Sequence, residues 1–411
     1  MPLGVYISVP FCRTKCSFCN FASGVFSREL FDRYIDVVTA DIANSESLAT
    51  TALCSFDRDV DSIYLGGGTP SVLAPDQLQR LFDAIHNTFA VSPDAEVTVE
   101  CAPGTITPEI VNTLLRCGVN RVSLGVQSFV DEESRSVGRL HTRAITLADI
   151  DLLRQSGITN LSIDLIAGLP HQTAESWRTS LDDVIAIGVP HVSVYMLEVD
   201  EDSRLGRELM AGGTRYHAHF VPNDDATADF YQQACDTLNG AGIHQYEISN
   251  FARPGRESRH NLKYWLRHPY LGFGVDAHSM LHGSSYEGMR FSTSDDLDNQ
   301  LNGTPRTFRK IDSASAEDEA FFLGLRLNRG IDLRAIAEAC GEPAIVKRAP
   351  ILDALTELGL LEPAGQNIRL TDRGRLLSNE VFERLMLSDP ATDPALPAQA
   401  PLTILPTRGP A

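Results

Sequence analysis

Short β-rich runs alternate with amphipathic stretches from the start of the chain to residue 243. Gly4 to Val9 reads as a strand. Arg28 to Ala43 reads as a helix, with Leu30, Phe31, Tyr34, Ile35, Val38 and Ile42 recurring on the helical period. Val60 to Leu65 is the next strand. The helix behind it opens at Pro75, whose missing N–H has no partner in a first turn anyway. That helix carries Leu78, Leu81, Phe82, Ile85 and Phe89. Strands follow near Glu96–Glu100, Arg121–Gly125, Asn160–Ile166 and His191–Leu197, with helices between them near Pro108–Arg116, Arg143–Gln155 and Ala174–Ile187. Six strand–helix units predict an α/β fold with a parallel sheet, because parallel neighbours need crossover helices. A doubly wound sheet and a partial or full β/α barrel both satisfy this pattern.

After His244 the alternation gives way to an aromatic, Gly-rich stretch with Tyr264, Trp265, Tyr270 and Phe273, read as a connecting region over 244–316. Helical periodicity returns over 317–387 and closes on a small wing, with a strand at Ile368–Thr371 after a turn at Gly365; this predicts a winged-helix-like module. Residues 388–411 hold six prolines and read as a disordered tail. Charge removes some functions. The chain of 411 residues has a formal net charge of −19, and the 317–387 module itself is net −3, so phosphate backbones are repelled and no nucleic-acid partner is expected. No apolar run reaches the roughly 18 residues of a membrane span, and no basic segment precedes Arg13 to act as a signal peptide. A cytoplasmic location is the expectation.

Three of the eight cysteines fall within eight residues, Cys12, Cys16 and Cys19, in a CxxxCxxC run just after the first strand. Thiolates ligate iron–sulfur clusters and tetrahedral zinc. No fourth Cys or His lies nearby, so three thiolates on a cubane would leave one iron open to an exchangeable ligand. Zinc completed by a distant histidine, in a protein-interaction module, and three unliganded thiols are the alternatives. Cys54, Cys101, Cys117, Cys235 and Cys340 read as ordinary core thiols. Polar residues also close successive strands: Gly66-Gly67-Gly68-Thr69-Pro70, Glu100, Gln127 with Arg139 shortly after it, and Asp164. Such positions gather at the C-terminal mouth of a β/α barrel.

CxxxCxxC with an aromatic residue, Phe18, before the third cysteine resembles the radical S-adenosylmethionine (SAM) superfamily. The resemblance implies a partial (β/α)6 barrel over 1–243. It also implies a [4Fe–4S] cluster on Cys12, Cys16 and Cys19, and SAM bound at the open iron. One-electron reduction there cleaves SAM to methionine and a 5′-deoxyadenosyl radical, and an electron donor is therefore a further implied partner. GGGTP is similar to the coproporphyrinogen-oxidase-like branch. By that likeness Tyr6, Phe18, Gly67, Gly68, Thr69, Glu100, Gln127, Arg139 and Asp164 match positions that surround SAM. The carboxylates would accept from its ribose or amino group, Arg139 would pair with its carboxylate, and the aromatics would pack its adenine.

Within that branch, the oxygen-independent coproporphyrinogen dehydrogenases carry a further cysteine two residues after the third, where this chain has Phe21. They also carry a longer segment before the motif, where only eleven residues precede Cys12. His260-Asn261-Leu262-Lys263-Tyr264-Trp265 is an HNxxYW motif. Together with GGGTP and CxxxCxxC it resembles the heme-chaperone group of the branch, over residues 3 to 385. That likeness implies one heme per chain, delivered to acceptor proteins. His260 is the candidate heme contact, and His244, His268 and His278 are in the same region. The alternative is a radical enzyme acting on a tetrapyrrole, by coproporphyrinogen III oxidation or anaerobic heme breakdown.

Overall fold

The computed structural model describes residues 1–198, 203–283 and 286–387; the proline-rich stretch expected as a tail lies outside them. Six parallel strands alternate with helices: β1 (Leu3–Val9), β2 (Asp59–Gly67), β3 (Ala90–Cys101), β4 (Arg121–Gln127), β5 (Asn160–Ala167) and β6 (His191–Met196). They lie side by side in sequence order. A doubly wound sheet reverses its order about a switch point, whereas right-handed crossovers taken always in one direction put every helix on the same face. The order therefore decides between the architectures that periodicity left open, in favour of the barrel-type arrangement. The barrel is partial: β1 continues to a further strand on its free side and β6 does likewise, so the six strands do not close on one another.

Those extra strands come from the stretch read as a connecting region. β7 (His244–Gln245) and β8 (Asn250–Ala252) extend the sheet beyond β6. On the other side β9 (Tyr270–Phe273), β10 (His278–His282), β11 (Gly288–Ser292) and β12 (Thr307–Ile311) extend it beyond β1. Runs of two to five residues are too short for alternation to be legible, which is why sequence periodicity stops at residue 243. Residues 331–387 add a three-stranded sheet, β13 (Ile331–Asp332), β14 (Leu361–Ala364) and β15 (Asn367–Leu370), with Gly365 and Gln366 turning the wing between β14 and β15. Helices Ser313–Gly324, Leu333–Cys340, Glu342–Glu357 and Ser378–Leu385 pack on it around a second core that includes Phe321, Leu355 and Leu385.

Strand alternation sorts the barrel into two environments. Val5, Ile7, Ile63, Leu65, Val97, Val99, Val122, Leu124, Ile163, Leu165, Val192 and Val194 are buried in one apolar core with the helices. The intervening positions on the same strands (Tyr6, Tyr64, Glu100, Asp164 and Tyr195) line an interior cavity. Both strand faces are covered, yet only one is apolar. That asymmetry is what places polar chemistry inside the molecule.

Candidate functional site

The CxxxCxxC loop leaves β1 and is pinned at both ends by backbone pairing: Cys12 N–H donates to Gly24 O at 2.9 Å and Gly24 N–H to Pro10 O at 2.8 Å. Lys15 Nζ braces it from within by donating to Phe21 O (2.9 Å) and Ser23 O (2.8 Å). Cys12 Sγ lies 3.7 Å from Thr69 Oγ1, and Cys19 Sγ 3.7 Å from Ser23 Oγ. All three thiols are free and line the cavity. Burial pushes the Cys12 and Cys16 thiols up, against hydrogen bonds to Cys12 and the Arg139 charge near Cys16, so a bound cation is needed to hold them as thiolates near neutral pH. Among the described residues no three Cys, His, Asp or Glu side chains converge tightly enough for one metal ion. Three thiols on one loop at the cavity suit a cubane, which takes one thiolate per iron.

The next loop is built around glycine. Gly67 has φ +101 and donates its N–H to Glu100 Oε2 at 3.2 Å, while Gly68 N–H and Thr69 N–H reach back to Val9 O and Phe11 O at 2.8 Å. A side chain at Gly67 would be strained by the backbone alone. Tyr64 donates to Glu100 Oε1 at 2.7 Å. At the end of β4 a register shift between Gly125 and Gln127, with Gln127 at φ +69, re-aims that residue into the cavity. Arg139 Nη2 donates to Gly125 O at 2.6 Å, and a Cβ on Gly125 would stand 2.7 Å from that nitrogen, so the glycine admits the guanidinium. Arg139 Nε is buried with no hydrogen-bond partner. Asp164 accepts from Ser123 Oγ at 3.1 and 3.3 Å.

Glu100 and Asp164 put two carboxyls in the cavity wall. Burial raises Asp164 and lifts Glu100 to about 7, the latter helped by the neighbouring Asp164 charge and opposed by Tyr64, Gly67 and Arg121. The sign of the linkage follows: a carboxyl raised in the folded state stabilises the fold while protonated and loses that contribution as pH rises through about 7. We therefore expect Glu100→Gln, without ligand, to gain on the native chain by about 2 kcal/mol between pH 5 and pH 8, after discounting for water in the cavity. Urea unfolding at the two pH values, under argon, checks this; a gap independent of pH contradicts it.

The HNxxYW segment forms a short helix, Arg259–Trp265, held at its N-terminus by Glu96. That carboxylate accepts from Arg259 N–H and His260 N–H, each at 3.1 Å, and from Ser258 Oγ at 3.4 Å. His260 and Tyr264 fall one turn apart, as do Asn261 and Trp265, and all four touch the cavity. His260 lies in the cavity wall. Its side chain is 0% exposed, Nδ1 is 3.0 Å from Ser62 Oγ and Nε2 is 3.0 Å from Tyr264 OH. Both nitrogens have hydroxyl partners, and burial pushes the ring down to about 3. His278 lines the cavity beside Asp276 at 3.6 Å, His268 is partly buried and His244 is exposed on β7.

All the residues singled out in the sequence, Tyr6, Cys12, Cys16, Phe18, Cys19, Gly67, Gly68, Thr69, Glu100, Gln127, Arg139, Asp164 and His260, line this one cavity. Sequence reasoning missed others. Tyr64 and Tyr195 could have been found from the two-residue strand period, since each lies two positions from an inward-facing neighbour. Glu247 and Arg326 could not: they are 0% and 3% exposed, 3.9 Å apart, and come from segments far apart in the chain, with Arg326 stacked 4.3 Å over Trp265.

Comparison with known proteins agrees with this geometry. The Radical SAM superfamily model matches residues 6–184 and the HemN C-terminal domain model residues 316–377. The heme chaperone HemW of Bacillus subtilis (strain 168) is 34% identical over 379 residues, covering 92% of this chain and 97% of that protein. The chain belongs to the HemW family of radical SAM proteins. The HemW of Escherichia coli (strain K12) is 30% identical over 387 residues, covering 93% of this chain and 97% of its own length. Among solved structures, the coproporphyrinogen III oxidase HemN of Escherichia coli, described as a radical SAM enzyme, superposes with a TM-score of 0.79 at 25% identity, covering 94% of this chain and 90% of that one. This chain thus shares its architecture with HemN over most of its length. No helix among the described residues is long and apolar enough to cross a membrane.

Proposed function

We propose that this chain is a heme chaperone: it binds one heme and passes it to acceptor proteins, using a [4Fe–4S] cluster and SAM at the barrel mouth. The observation that carries the reading is that the CxxxCxxC loop and the HNxxYW helix line the same cavity, in a chain similar to HemW proteins along nearly their whole length. Cys12, Cys16 and Cys19 hold the cluster. Arg139, with a buried donor nitrogen unused, receives the SAM carboxylate. Glu100 and Asp164 face its positive charge, and Tyr6 and Phe18 pack its adenine. When bound, the cluster supplies the electron for SAM cleavage; the protein's own part is to orient SAM and exclude water. The acidic surface and the lack of a membrane-crossing helix among the described residues fit a cytoplasmic carrier that receives its electron from a separate donor.

In this reading His260, in the cavity wall, is the candidate heme contact. The test is a hemin titration of the anaerobically reconstituted protein followed at the Soret band, with saturation expected at one heme per chain. Absence of any saturable band overturns the proposal. The same preparation, given reductant, SAM and coproporphyrinogen III or heme, is expected to show no turnover beyond one equivalent by mass. Sustained product formation would establish the tetrapyrrole-enzyme reading instead.

A further inference from the structure

After the helix Ser313–Gly324 the chain touches the barrel once more before it enters the C-terminal module. Leu327 pairs with Glu247 across an isolated antiparallel bridge. Asn328 donates from its N–H to Tyr246 O at 3.0 Å and from Nδ2 to Gln245 O at 2.9 Å. These bonds fix Arg326 against the segment between β7 and β8, and its side chain joins the wall of the barrel cavity. The guanidinium lies 4.3 Å from the centroid of the Trp265 ring, at the end of the HNxxYW helix. Neither residue belongs to the cluster loop or to the groups around the SAM position.

The polar atoms gathered here are unsatisfied. Among the described residues, Arg326 Nε and Trp265 Nε1 have no acceptor, and Glu247 Oε2 has no donor. Arg326 is 3% exposed and Glu247 0%. Glu247 Oε1 accepts from Ser249 N–H at 3.1 Å and from Asn250 Nδ2. That leaves Oε2 as the oxygen nearest Arg326, at 3.9 Å from Nη2, which is beyond hydrogen-bond length. Burial disfavours the Arg326 charge, with Glu247 and, more weakly, Glu198 supporting it; burial also raises the Glu247 carboxyl, which lessens that support. Buried polar groups are as a rule hydrogen-bonded, so unpaired donors in a cavity wall call for an occupant with acceptors. A carboxylate is acceptor-only, has two oxygens, and pairs best with a guanidinium. We infer that Arg326 and Trp265 receive a carboxylate of the cavity's occupant, which is a propionate of the macrocycle in the heme-chaperone reading on which this inference rests. Trp265 shares its short helix with His260, so one element holds both the ring and its acidic edge.

The experiment compares two probes, hemin and hemin dimethyl ester, in which both propionates are blocked. Each is titrated, in one detergent buffer, into the full-length, cluster-reconstituted chain and into Arg326→Gln and Trp265→Phe. The native chain is expected to bind hemin about tenfold or more tighter than the ester. Arg326→Gln is expected to lose that preference by weakening hemin alone, with the ester near its native affinity. Trp265→Phe keeps the aromatic face and removes one donor, so hemin weakens roughly threefold and the ester does not change. A role in packing alone would shift both probes together. Circular dichroism and iron content report whether each variant is folded and loaded; if Arg326→Gln is not, Trp265→Phe and the native comparison decide. Equal binding of the two probes by the native chain, or an undiminished preference for hemin in the variants, overturns the assignment while leaving the chaperone reading intact. Failure of the native chain to bind either probe overturns both.

Discussion

Replacing Cys16 by alanine abolishes the cluster: after anaerobic reconstitution the variant is colourless, with iron and sulfide near zero, where the native chain carries a [4Fe–4S] absorption. The size of the effect follows from ligand count. In the proposed reading the three CxxxCxxC thiolates are the protein's whole contribution to the cubane. Cys101, Cys117 and Cys235 are buried, with burial pushing their thiols up to about 11 to 12. The Arg139 charge favours the Cys16 thiolate, and its loop is tied to the neighbouring segments through Ser17, which donates to Val137 O at 3.1 Å and accepts from Leu205 N–H at 2.8 Å. Cluster loss therefore removes SAM binding as well, while the fold, whose cores lie elsewhere, persists. Iron analysis alongside circular dichroism separates the two. Retention of a full cluster by Cys16→Ala would show that the iron is held by other residues.

The second large effect is on stability. Glu319, 3% exposed, accepts from Arg267 Nε and Arg290 Nε, each at 2.8 Å. Burial alone would raise its carboxyl; the two guanidiniums outweigh that and hold it below the usual range. Arg290 also donates to Tyr270 OH at 3.1 Å, and Arg267 lies 4.2 Å from the Tyr286 ring centroid. One carboxylate thus joins β11, the turn before β9 and the helix Ser313–Gly324. Glu319→Ala leaves two buried cations unpaired, and breaking such an arrangement costs about 3–5 kcal/mol. Against a typical total of roughly 5–15 kcal/mol, that shows as a large drop in the urea midpoint. The loss reaches the site too, because the same helix leads to Arg326, which stacks on Trp265 in the cavity wall. A variant with an unchanged midpoint would mean that the arginines find other partners.

The barrel was legible because its strands and helices are long enough to show their periods, from Val5, Ile7 and Val9 to Leu78, Leu81 and Ile85. The order of the strands was not, since periodicity carries no information about which strand lies beside which. The cluster loop and the strand-end polar residues were legible because their chemistry is local: CxxxCxxC, GGGTP and Glu100 each declare themselves within a few residues. What escaped is non-local. Nothing near Glu247 announces Arg326. Nothing near His260 announces Ser62, from β2, on one of its nitrogens.

The central claim is that this cavity, loaded with cluster and SAM, serves the hand-over of heme. Transfer from the heme-loaded, cluster-reconstituted chain to an apo-acceptor protein, followed by the acceptor's own absorption spectrum, tests it most directly. Transfer from the native chain is expected, slowing sharply in Cys16→Ala and on omission of SAM. Transfer at one rate in all three preparations, or no transfer from any of them, would contradict it.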